Sequence, residues 1–178
     1  MSNVDMMLLG VLMIKPMNAY EMKKEMEYRN INEWVKISSP SVYKNLVKLY
    51  KSRFVDSEVV REGEMPEKTI YTINDKGRQY FMQLMHKSSE EPEKIYVDFS
   101  AFIANIHNVD YESSLKMIEN LQNVLDLRRD FTNNQLKIKG GTNFYAKAII
   151  ELNLQMNNLC CTWLEDFKKQ YTEHLKNS

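Results

Sequence analysis

The feature that most constrains this 178-residue chain is a change of hydrophobic period in its first half. Up to Arg53 the apolar residues recur at helical spacing. From Phe54 to Ile73 they form two β-branched and aromatic runs, and beyond Ile73 helical spacing resumes. Val4 to Lys15 is apolar almost all round, with Met6, Met7, Leu8, Leu9, Val11, Leu12, Met13 and Ile14. That pattern predicts a helix buried on several sides and stopped by Pro16. Asn18 reads as the N-cap of a second helix running to about Arg29, with Glu21 completing a capping box and Met17 placed to staple onto Met22. Its buried stripe is Ala19, Met22 and Met26, and it exposes Lys23 and Lys24. Ile31 to Ile37 leads to a third helix, with Trp34 filling the core beneath the turn. Phe54–Arg61 and Lys68–Ile73 then predict a hairpin around the charged loop Glu62–Glu67, and Asn74 or Asp75 caps a fourth helix carrying Tyr80, Phe81, Leu84 and Met85. The order predicts a mostly α chain with a small β-hairpin, beginning with a winged helix-turn-helix domain.

The third helix opens with Ser39 as N-cap and Pro40 at the first helical position, where its missing N–H costs nothing. A helical wheel puts Val42, Tyr43, Leu46, Val47, Leu49 and Tyr50 on one side and Ser41, Lys44, Asn45, Lys48, Lys51 and Ser52 on the other. No acidic residue lies between Glu33 and Asp56, so these cations are expected to have no nearby partner. A cationic face bearing hydroxyls and an amide suits a polyanion, because Lys neutralises phosphates while Ser and Asn bond to phosphates or base edges. A solvated lysine face is the plain alternative. The expected double-stranded DNA contacts are Ser39, Ser41, Lys44, Asn45 and Lys48. Tyr20 and Tyr43 would add their hydroxyls and Lys23 its ammonium, with Tyr43 at the wheel's boundary. Arg61 and Lys68 flank the hairpin loop and would reach backbone or a minor groove.

Net charge is zero, but residues 1–87 hold 14 Lys and Arg against 11 Asp and Glu, and residues 88–178 hold 10 against 13. That sign fits a DNA-binding part joined to a non-binding part. No apolar run reaches the ~18 residues of a membrane span, and the apolar start lacks a basic n-region, so neither a membrane anchor nor a signal peptide is expected. Adjacent Cys160 and Cys161 make a poor structural disulfide and fit a reducing, cytoplasmic setting. His86, His107 and His174 are scattered without ligand spacing, so no metal is expected, and no cofactor. Neither Asp56 with Glu58 nor Glu90 with Glu91 accompanies a nucleophile, so no enzyme is expected either. Most of the twelve Met residues fall at core spacing.

Ser88–Glu93, acidic and interrupted by Pro92, suggests a linker at 89–94 between a first domain, 1–88, and a helical domain, 95–178. In the latter, Phe99–His107 is short and apolar, and Tyr111 to about Ile138 carries Leu115, Ile118, Leu121 and Leu125. Gly140–Gly141 breaks the pattern, and Thr142 or Asn143 opens a long final helix. Ile149, Leu152, Met156, Leu159 and Trp163 recur there at 3-4-3-4 spacing, as in a coiled-coil seam. This seam would join two copies of the chain, or fold back on residues 111–138.

Four pieces of the sequence resemble the PadR-type transcriptional regulators. They are Leu8-Leu9-Gly10-Val11-Leu12, Pro16-Met17-Asn18-Ala19-Tyr20-Glu21-Met22, Ser41-Val42-Tyr43-Lys44-Asn45-Leu46, and Lys68-Thr69-Ile70-Tyr71-Thr72-Ile73-Asn74-Asp75-Lys76-Gly77. Ala19 and Arg53 stand where the family has Gly, and Asn74 where it has Thr. The resemblance implies a homodimeric, usually repressing regulator that binds an inverted-repeat operator, often released by a small-molecule effector. It points to an effector pocket between the two parts near Trp34, Tyr96, Phe99 and Phe102. A winged-helix module that binds an acidic protein, without an operator, is the alternative.

Overall fold

Nine helical or strand elements, with two short 3-10 turns, are present in the computed structural model, which describes residues 3–35, 37–61, 63, 67–139 and 143–176. The chain divides into two compact units, Met1–Ile95 and Tyr96–Ser178. The first holds α1 (Asn3–Leu12), α2 (Ala19–Tyr28), a 3-10 turn at Ile31–Glu33, α3 (Ser39–Lys51), β1 (Val55–Val60), β2 (Lys68–Ile73) and α4 (Asp75–Glu90). The fold is mostly helical with one antiparallel hairpin, as the change of period requires.

Local chemistry explains the helix starts. Asn18 and Glu21 form the reciprocal capping box: Glu21 N–H donates to Asn18 Oδ1 at 2.9 Å and Asn18 N–H to Glu21 Oε2 at 3.1 Å. Asn74 caps α4, accepting from Gly77 N–H at 3.0 Å. For α3 the cap lies one residue earlier than the sequence suggests. Ser38 is the extended N-cap, Ser39 and Pro40 are already helical, and the side chain of Ser39 lies outside the described residues. Ser38 N–H donates to Ser41 Oγ at 3.0 Å, and the Ser41 hydroxyl donates to Ser38 O at 2.6 Å, so Ser41 closes the first turn. Helix α1 is shorter than its apolar run: it ends at Leu12, and Met13 and Ile14 are exposed.

The strands pair in register from Val55↔Ile73 to Val60↔Lys68. Met17 adds a single bridge to Tyr71, through N–H···O bonds of 3.2 and 3.0 Å in the two directions, and so ties the entry of α2 to the hairpin. Of the loop, Glu62, Glu64, Met65 and Pro66 lie outside the described residues, and Gly63 turns with φ +60°. The core gathers Leu8, Leu9, Leu12, Met22, Met26, Ile31, Val42, Leu46, Leu49, Val55, Tyr71, Ile73 and Leu84. Trp34 packs half-buried against it, while Met85 points outward. Phe54 stacks on Tyr80 at a ring separation of 4.2 Å and joins the start of the hairpin to α4.

Arg53 leaves α3 with φ +61°, the left-handed region in which a Cβ is strained. Arg53→Gly is therefore expected to raise stability by about 0.5–1 kcal/mol, the relief of strain being offset in part by glycine's greater unfolded-state entropy. Urea titration of the two chains measures the shift, and an unchanged or lower midpoint for Arg53→Gly contradicts the strain.

The second unit holds α5 (Ser100–Asn105), a 3-10 turn at Ile106–Asn108, α6 (Tyr111–Lys139) and α7 (Phe144–Lys176). The apolar run Phe99–His107 is thus one short helix and a tighter turn, not a continuous helix. Gly140, Gly141 and Thr142 lie outside the described residues; Asn143 caps α7, its Oδ1 accepting from Tyr145 N–H at 2.9 Å and Ala146 N–H at 3.2 Å. Helices α6 and α7 pack on each other around Ile106, Ile118, Leu125, Cys161 and Leu164. At their contact Asn157 Nδ2 donates to Thr132 Oγ1 at 3.0 Å. In α7, Ile150, Leu154, Asn157, Cys161 and Leu164 form the inward stripe. Leu152, Met156, Leu159 and Trp163 lie on the opposite side and are exposed, with Ile149 half-buried between the stripes. A hairpin against residues 111–138 does form, therefore, but through a stripe other than the one the sequence singles out. Burial raises the thiol pKa of both Cys160 and Cys161, which makes them poor nucleophiles.

Candidate nucleic-acid interface

Helix α3 presents its polar side outward because its apolar side is locked into the core by Val42, Leu46 and Leu49. Tyr43 and Tyr50, placed with the apolar residues on a wheel, are exposed instead, at 63% and 49%. Each stands at the edge of the stripe, where a phenol leaves the core without losing its hydroxyl's contact with water. Tyr43 and the exposed Lys44 thus share the outward surface.

The remaining polar groups of α3 are more constrained than their types suggest. Ser41's hydroxyl is committed to the first turn. Asn45 Nδ2 donates to Ser41 O at 2.7 Å, one turn back in the same helix, which leaves its carbonyl oxygen and one N–H for a ligand. Lys48 corrects the expectation that these cations have no nearby partner. Its Nζ lies 2.8 Å from Oδ2 of Asp5 on α1, a carboxylate whose side chain is 1% exposed. Local sequence could not show this pair, because its members are 43 positions apart. The hydrogen bond to Asp5 raises the pKa of Lys48 above the ordinary lysine value.

From α2, Tyr20 is exposed and Lys24 Nζ sits 4.8 Å from the centre of its ring. This contact with Tyr20 raises the Lys24 pKa above the ordinary lysine value. Sequence reasoning passed over Lys24 although its i,i+4 spacing from Tyr20 was visible. Lys23 is half-buried and pairs with Glu27 at 3.5 Å, which reduces its value as a phosphate contact. In the hairpin Arg61 is exposed and Lys68 half-buried, on either side of the loop.

Of the aromatic residues expected around an effector, Trp34 belongs to the first core. Phe99 and Phe102 pack half-buried on the second, and Tyr96 is exposed. Phe99 lies 5.9 Å from Trp163, from which stacked rings continue to Phe167 and Tyr171 along α7. Among the described residues, no helix is long and apolar enough to cross a membrane.

Residues 8–83 match the transcriptional regulator PadR-like family. No curated protein matches the chain. Among solved structures it is similar to Bacillus subtilis PadR in complex with operator DNA, with 16% identity and a TM-score of 0.81 over 96% of this chain and 98% of that one. A structure of the same protein with p-coumaric acid matches with 14% identity and a TM-score of 0.73, over 94% of each chain. The PadR-like transcriptional regulator BC1756 from Bacillus cereus matches with 19% identity and a TM-score of 0.72, over 96% of this chain and 98% of that one. At such identities these likenesses speak for the fold, and that fold extends over both units. The first unit is, over residues 8–83, a domain of the PadR-like family of transcriptional regulators.

Proposed function

We propose that the protein is a cytoplasmic, sequence-specific DNA-binding repressor that binds an inverted-repeat operator as a homodimer and is released by a small aromatic effector. The observation that carries the reading is the outward side of α3, where Tyr43 and Lys44 are exposed on a helix fixed by its core side. Tyr20, Lys24 and Asn45 extend this surface, and Arg61 and Lys68 supply backbone contacts from the hairpin. The B. subtilis protein of the same fold is seen on operator DNA, which supports DNA as the partner here. Its complex with p-coumaric acid supports an effector of that chemistry, for which Tyr96, Phe99 and Phe102 offer aromatic surface. The outward stripe Leu152, Met156, Leu159 and Trp163 supports the homodimer, since it is an exposed apolar row on the side of α7 opposite the stripe packed on α6.

The test is selection of bound duplexes from a random pool, followed by titration at several salt concentrations. An inverted repeat should emerge and outcompete scrambled duplex. Lys44→Ala should lower the slope of log affinity against log salt by about 0.9, the share of one phosphate contact. Phenolic acids added to the complex should release the DNA. Enrichment of no sequence, together with a Lys44→Ala slope equal to wild type, would move the protein to the alternative class, a module that binds an acidic protein.

A further inference from the structure

Asp5 is the single charged residue before Lys15, and it lies buried among Leu8, Leu9 and the rest of the first core. Ionised carboxylates are not kept in such places without compensation. Here Oδ2 accepts from Lys48 Nζ of α3 at 2.8 Å and, more weakly, from the Tyr80 hydroxyl of α4 at 3.5 Å. One carboxylate therefore joins three helices, and one of the three bears the proposed DNA-facing surface. The Lys48 side chain is 57% exposed, while the Asp5 side chain that its ammonium meets is 1% exposed.

We propose that Lys48 is a positioning residue: its bond to Asp5 fixes the rotation of α3 so that Tyr43 and Lys44 face DNA, and Lys48 makes no phosphate contact of its own. The inference rests on the DNA-binding reading. Its physical basis is a comparison of two sites for one ammonium. At a phosphate, the ammonium gains an exposed, salt-screened ion pair. Leaving Asp5, it strips a buried carboxylate of its cation, which is much the larger loss. The ammonium therefore stays, and DNA meets Lys44, which is one turn earlier, exposed, and in no ion pair among the described residues. A helix rotated by some tens of degrees about its axis would carry the Tyr43 hydroxyl several ångströms away, so the alignment of α3 has direct consequences for affinity.

Salt dependence separates alignment from phosphate contact, because only a lost contact changes the number of released counterions. Full-length wild type, Lys44→Ala, Lys48→Met, Lys48→Gln, Asp5→Asn and the Asp5→Asn/Lys48→Met pair are titrated with the selected operator at several salt concentrations. Melting curves accompany each, and Lys48→Gln, which keeps a donor for Asp5, decides the matter where Lys48→Met fails to fold. The expected result is a loss of about tenfold in affinity for Lys48→Met and for Asp5→Asn, and a smaller loss for Lys48→Gln, at every salt concentration, with the wild-type slope retained. The double change should be no worse than either single one, as for two halves of one device. A slope lowered by about 0.9 in Lys48→Gln or Lys48→Met overturns the proposal, as does an Asp5→Asn chain that binds as wild type or more tightly. A wild-type chain that enriches no duplex overturns the DNA reading itself, and this inference with it.

Discussion

Leu152→Asp together with Leu159→Asp is expected to turn the protein into a monomer and to lower operator affinity about 100-fold or more. Both residues lie on the outward stripe of α7, 57% and 69% exposed, opposite the stripe that packs on α6. Two carboxylates there do not enter the subunit's own core. Their cost to the isolated helix is roughly 0.5 kcal/mol each in propensity, too little to unfold a helix anchored by Cys161 and Leu164. In a two-fold dimer the same positions meet their symmetry mates, and four carboxylates would be brought together in an apolar seam. A lone α3 reads one half-site; linkage to a second raises its effective concentration, and that gain disappears with the dimer. Sedimentation and operator titration on the same sample check the result. A doubly substituted chain that sediments as a dimer, or a monomer with wild-type affinity, removes this stripe from the interface.

Gly77→Ala is expected to destabilise the first unit by about 3 kcal/mol and to lower its melting temperature by roughly 15 °C. Ala is the better helix former by about 1 kcal/mol, so propensity alone predicts the opposite sign. Packing decides. A Cβ at position 77 would lie 2.0 Å from Phe54 O and 2.9 Å from Ile73 Cγ1, and the first of these is backbone that cannot swing aside. The approach is close because Asn74 binds both neighbours: its side chain accepts from Gly77 N–H at 3.0 Å and donates to Arg53 O at 3.2 Å. Forcing the chains apart loosens this cap and the Phe54–Tyr80 stack together. Calorimetry of the full chain resolves the effect, and a melting temperature within about 3 °C of wild type would show that α4 can slide to make room.

Much of this architecture was legible in the sequence because its signals are local. The Asn18–Glu21 box, the Asn74 cap and the helical spacing each involve residues only a few positions apart, the hairpin joins adjacent segments, and all are present. Arg53 was visible as a residue where a left-handed exit prefers Gly, and it does adopt that conformation. What stayed hidden depends on distant partners. A lysine on a cationic face reads as a phosphate ligand until the buried Asp5 is seen beside Lys48. A wheel groups Tyr50 with the core residues by hydrophobicity, yet its position at the stripe's edge leaves it exposed, as the boundary position of Tyr43 does for that residue. The final helix carries two apolar stripes, and spacing alone cannot say which one faces α6.

The span of the bonds that tie α1 to its neighbours also sets an order of events during synthesis. Asp5 waits 43 positions for Lys48 and 75 for Tyr80, and Leu8, Leu9 and Leu12 share a core with Leu84. At ~5–20 residues per second, a ribosome needs several seconds to deliver those partners. For that interval the apolar first helix is out in water, or in the exit tunnel, with its core incomplete. Helices α6 and α7 instead meet across contacts such as Asn157 to Thr132, 25 positions apart, and need no earlier segment of the chain for that bond. The apolar face of α1 thus waits longer for its partners than the Thr132–Asn157 contact of α6 and α7 does.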